Sequence, residues 1–75
     1  MKKYLMAADI SMSRYYSVSE AVQMFKNRVE KFLNHIPEVT VRVHDEFPQF
    51  LEISSEADIF DELKCFGQTF FQVGA

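Results

Sequence analysis

The chain has no tryptophan, a single cysteine, two glycines and two prolines, and no apolar run near the ~20 residues a helix needs to cross a bilayer. Each shortage removes a class of protein. Cys65 has no intramolecular partner, so an internal disulfide framework is excluded. Gly67 and Gly74 cannot build a phosphate-cradling loop or a dinucleotide fingerprint, and no G-x-S-x-G elbow is present. The apolar stretch after Met1-Lys2-Lys3 stops at Asp9, short of the roughly 7–15 residues of a secretory core, so a cytoplasmic home is expected.

What the sequence does hold is apolar and aromatic. Of 75 residues, 48% are hydrophobic, with eight Phe and three Tyr against a net charge of -3. That composition favours collapse over disorder, and the length suits one α+β domain spanning 1–75. In chains below ~70–80 residues, burial roughly balances ordering entropy at about 1.5 kcal/mol per residue. Either the aromatic core is unusually well filled, or a partner covers part of it.

The hydrophobic period changes along the chain and marks out elements. Tyr4, Met6, Ala8, Ile10 and Met12 alternate over residues 3–12 as a strand, the alternative being a break near Ser11–Arg14 into two short strands, for which the Gly or Asn of a tight hairpin is missing. Val18, Ala21, Val22, Phe25, Val29, Phe32, Leu33 and Ile36 follow helical spacing. Ser17 and Glu20 form a capping box, and Pro37 ends the element. Val39, Val41 and Val43 alternate with Thr40, Arg42 and His44, a half-buried strand. Asp45–Pro48 turns the chain into a further strand over 49–54. Ser54 or Ser55 is expected to cap a second helix, with Glu56, Asp58 and Asp61 at its positive end and Gly67 as its left-handed stop. Residues 69–73 form the last strand.

The order β-α-β-β-α-β folds most simply as a ferredoxin-like two-layer sandwich, two helices on one face of a four-stranded antiparallel sheet. The first and third strands are then central. Thr40, Arg42, His44, Gln68 and Gln72 fall on the edges, where polar groups discourage unwanted pairing. This architecture hosts unrelated functions and assigns none.

Chemistry-bearing patterns are thin. His35, His44 and Cys65 are the only soft metal ligands and none has ligand spacing, so no metal or other cofactor is expected. Cys65 lies in the last turn of the second helix, where the dipole raises a thiol pKa, and is expected to be a small buried hydrophobe. Outward-facing Phe50 and Phe70 would suit base stacking. The RNP1 pattern is absent, however, and the acidic pI of about 5.2 opposes phosphate binding, so no nucleic-acid partner is expected.

Charge is unevenly placed. Residues 1–37 carry Lys2, Lys3, Arg14, Lys26, Arg28 and Lys31 against Asp9, Glu20 and Glu30, a net +3. The remainder carries Arg42 and Lys64 against Glu38, Asp45, Glu46, Glu52, Glu56, Asp58, Asp61 and Glu62, a net -6; together these give -3. An acidic surface of Asp45, Glu46, Glu56, Asp58, Asp61 and Glu62 would steer the domain onto a basic protein surface. The sequence therefore reads as a non-enzymatic protein-interaction module, an adaptor or inhibitor. It is expected to pair with itself through Leu5, Ala7, Phe50 and Phe70 on the open sheet face. The alternatives are a binding domain for a small apolar ligand at a dimer interface, or a minimal dimeric enzyme using His44 as base.

Overall fold

A computed structural model describes residues 1–74. Along the chain it places β1 (Lys2–Ala7), a 3-10 turn (Ser11–Arg14), α1 (Val18–Phe32), β2 (Val39–Val43), β3 (Phe50–Ser55), α2 (Phe60–Phe66) and β4 (Phe70–Gly74). The four strands form one antiparallel sheet in the order β2-β3-β1-β4, with β1 and β3 central, a ferredoxin-like α+β arrangement.

The core follows from the alternation. Tyr4 and Met6 of β1 pair with Ile53 and Leu51 of β3, and all four are fully buried. Val41 joins them from β2. Val22, Phe25, Val29 and Leu33 come down from α1, and Ile59 and Leu63 from the α2 side. The two helices meet through Phe66, whose ring lies edge-on to Phe25 and Phe32 at 5.7 and 5.0 Å. The Arg28 guanidinium sits 5.5 Å from the Phe25 ring centre and 5.9 Å from that of Phe66, closing the seam with a cation.

The helix limits have local causes. Ser17 accepts from the Glu20 amide while the Glu20 carboxylate accepts from the Ser17 amide, so the capping box forms as expected. The helical spacing runs on to Ile36, but α1 stops at Phe32 with Leu33 as its cap. Ile36 reaches the core from a turn instead, ahead of Pro37 and of Glu38 at φ 59°. Gly67 ends α2 at φ 88°, the left-handed conformation for which glycine has no steric penalty.

Four further expectations change. The first alternation does not run to Met12 as a strand, nor resume as a second one: β1 ends at Ala7, and the Asp9 carboxylate accepts from the Ser11 amide at 2.9 Å at the start of the 3-10 turn Ser11–Arg14. Ala8 and Ile10 still pack on the core, while Met12 is exposed. Ser54 and Ser55 do not cap α2. Both belong to β3, paired with Lys3 and Lys2, and the N-cap position falls at Ile59, which has no side-chain cap bond; just before it the Asp58 carboxylate accepts from the Phe60 amide at 3.0 Å. Cys65 is exposed, because the buried stripe of this two-turn helix narrows to Leu63. Finally, Phe70 does not face the open side of the sheet. It pairs with buried Met6 and packs edge-on to Tyr4 and Phe60 at 6.3 and 5.1 Å, so its neighbour Phe71 faces outward instead. A register shift between Lys3 and Tyr4 accompanies this placement.

The open sheet face as candidate functional site

Backbone pairing fixes what the sheet turns away from the helices. Leu5 lies between Glu52 of β3 and Phe71 of β4, and Glu52 lies opposite Arg42 of β2. One row across the open face therefore reads Arg42, Glu52, Leu5, Phe71. The next row brings Ala7 against Phe50. The sequence placed Leu5, Ala7 and Phe50 on this face and the register puts them there. Phe70 is replaced by Phe71.

Phe47 joins them from the β2–β3 turn, and the turn is built to hold it. His44 Nδ1 accepts from the amides of Glu46 and Phe47 at 3.1 and 3.2 Å, and the Phe47 carbonyl accepts from the Phe50 amide at 2.9 Å. The Phe47 ring rests 5.2 Å from the imidazole and meets Phe50 edge-on at 6.4 Å. Leu5, Phe47, Phe50 and Phe71 together line a hollow of about 220 Å³. Phe47 and Phe71 are about half exposed, at 53% and 50%. Neither was singled out from sequence. The available signal was an aromatic inside a four-residue turn, where no periodic core position claims it.

Charge borders the hollow on one side. Arg42 Nε donates to Glu52 Oε1 at 2.8 Å, and a second guanidinium nitrogen lies 3.7 Å from Asp45. The hydrogen bond from Arg42 holds the Glu52 carboxyl below its ordinary range, against a smaller opposing effect of burial. This pair keeps the β2 side polar while the β1–β4 side is apolar.

The acidic residues do not form one surface. Asp45 and Glu46 precede β3, whereas Glu56, Asp58, Asp61 and Glu62 follow it, so the two groups sit at opposite ends of a six-residue strand, about 20 Å apart. Asp45 is engaged with Arg42. Asp58 is engaged internally: it accepts from the Phe60 amide and, at 3.5 Å, from the Tyr4 hydroxyl, which in turn accepts from the buried Ile59 amide. Burial raises the Tyr4 pKa, and the Asp58 charge adds to that.

His44 serves the turn through Nδ1, and it does not line the hollow formed by Leu5, Phe47, Phe50 and Phe71. No group of three or more His, Cys, Asp or Glu side chains among those residues is placed to hold a metal ion. No helix among them is long and apolar enough to cross a membrane. Comparison with protein-family models, with curated proteins and with solved structures returns no match, so the face must be read from its own chemistry.

Proposed function

We propose that the protein is a non-enzymatic interaction module, an adaptor or inhibitor, that docks a protein partner through its open sheet face. One observation carries this reading. An antiparallel sheet with one face in water normally alternates apolar-in and polar-out, yet the outward positions Leu5, Ala7, Phe50 and Phe71 are apolar and gain Phe47 from the turn. Among the described residues both helices pack on the other side of the sheet, and no helix or strand covers this one.

The hollow's size favours a side chain over a metabolite. At about 220 Å³ it falls below the ~300–1,000 Å³ of typical small-molecule sites. A single bulky apolar side chain projecting from a partner fits it, with Arg42, Glu52 and Lys3 supplying the polar rim that interfaces place around an apolar anchor.

The test is site-specific photo-crosslinking in the native host, with a photoreactive phenylalanine at position 71 or, as control, at Lys31 on the wet face of α1. A discrete protein adduct is expected from position 71 and none from position 31. Phe50→Asp should weaken binding of the purified partner at least tenfold without changing the circular dichroism spectrum. Equal yields from both positions, or a Phe50→Asp variant that binds normally, would overturn the reading.

A further inference from the structure

The two edges of the sheet are not equally protected. On β4 the Gln72 side chain donates to the Gly74 carbonyl at 3.1 Å and the pairing with β1 shifts register beside it. Such irregularities blunt an edge against pairing with another chain. The β2 edge has none of them: Val39–Val43 contains no Pro, Gly or Lys, and its register with β3 is unbroken. Its one charge, Arg42, is tied to Glu52.

Parity tells which groups that edge offers. The His44 amide donates to the Phe50 carbonyl, so 44–50 is a hydrogen-bonded pair of the β2–β3 ladder, and 42–52 and 40–54 follow by alternation. The amides and carbonyls of Val39, Val41 and Val43 therefore point away from the sheet. Their side chains lie on the helix side, between two hollows that flank the edge. One, of about 590 Å³, lies at the Val43 end beside Val18, Val22 and Pro48. The other, of about 230 Å³, lies at the Val39 end beside Leu33 and Ile36.

We propose that β2 is the seam of a two-fold symmetric dimer, pairing antiparallel with β2 of a second copy to make one continuous eight-stranded sheet. The register follows from the chain's own residues. Centring the pairing on Val41 sets Val39 against Val43, Val41 against Val41 and Val43 against Val39, using every outward backbone group of the strand. A shift toward Arg42 would bring Arg42 against Arg42, which like-charge repulsion opposes. A shift toward Thr40 would set Val43 against Pro37, which has no amide to give. In the centred register Thr40 of one copy faces Arg42 of the other on the open side, and the helix side pairs valine with valine. The Val39 and Val43 side chains of each copy then enter the hollows beside the Val43 and Val39 of the other. The axis stands perpendicular to the sheet, so both open faces point the same way.

The dimer does not depend on the open face having a partner, and the experiment separates the two. Sedimentation equilibrium should give a species of twice the 8.8 kDa chain mass. Thr40→Lys places like charges opposite at two symmetric positions and should weaken association roughly tenfold, whereas Thr40→Glu should strengthen it. Position 40 is exposed in the single copy, so neither change touches the core. Amide exchange at Val39, Val41 and Val43 should slow with protein concentration, and Phe71→Asp should leave association unchanged. A chain that stays monomeric at millimolar concentration, or a dimer that responds to Phe71→Asp and not to the Thr40 pair, would overturn the proposal.

Discussion

Two buried hydroxyls sit in opposite situations. The Tyr4 hydroxyl accepts from the Ile59 amide at 3.3 Å and ties the first strand to the start of α2. Tyr4→Phe leaves that amide without an acceptor and should cost about 1–3 kcal/mol in urea unfolding. Ser55 is fully buried and its Oγ has no hydrogen-bond partner. Ser55→Ala removes that unsatisfied group, and its melting temperature should rise by about 4–8 °C if ~1 kcal/mol is recovered. Neither role was legible in the sequence. A tyrosine at an inward strand position reads as core, and its hydroxyl partners lie 54 and 55 residues away. The serine pair before an acidic stretch looked like a helix cap, and only pairing with Lys2 and Val39 makes Ser55 a strand residue.

At the level of elements, the sequence was clearest where local chemistry acts alone. The Ser17–Glu20 box and the Gly67 stop are settled within one turn of chain, and both form as read. Ser17→Ala should cost about 1 kcal/mol. Gly67→Ala meets no neighbouring atom, so its expected loss of about 1 kcal/mol would report backbone conformation alone. The Asp9 and Glu20 carboxyls are held below their ordinary range by hydrogen bonds from the Ser11 and Ser17 amides, respectively. A lowered folded pKa contributes stability above the unfolded value near ~4 that is lost as pH falls through the folded one. The melting-temperature gap between the natural chain and Glu20→Ala should therefore be full at pH 7 and shrink progressively below about pH 4. Element ends were misread where a loop side chain outweighs periodicity: the Asp9 carboxylate bonds the Ser11 amide at the start of the 3-10 turn, and the Asp58 carboxylate bonds the Phe60 amide in the turn that enters α2.

For the molecule as a whole, strand order and layer arrangement were legible because each element's period is distinct and short connections leave few topologies. Which side of the sheet each residue of β4 takes was not, since Phe-Phe-Gln-Val has no single alternation. Adjacent substitutions should expose the difference. Phe70→Asp sets a charge at a half-buried position against Tyr4 and Phe60 and should lower the melting temperature by well over the few degrees expected of Phe71→Asp. The same ambiguity has a dynamic consequence. Sliding β4 by one residue would hide Phe71 and Val73 and expel Phe70 and Gln72, a trade that greasy-surface arithmetic does not oppose. Ring-on-ring contact with Tyr4 and Phe60 is what fastens the strand in place. Loosening that clasp, as in Phe60→Ala, gives the last strand a second setting in which Phe70 takes the place of Phe71 on the open side and the hollow there is reshaped, and doubled amide resonances for residues 70–73 would be its signature.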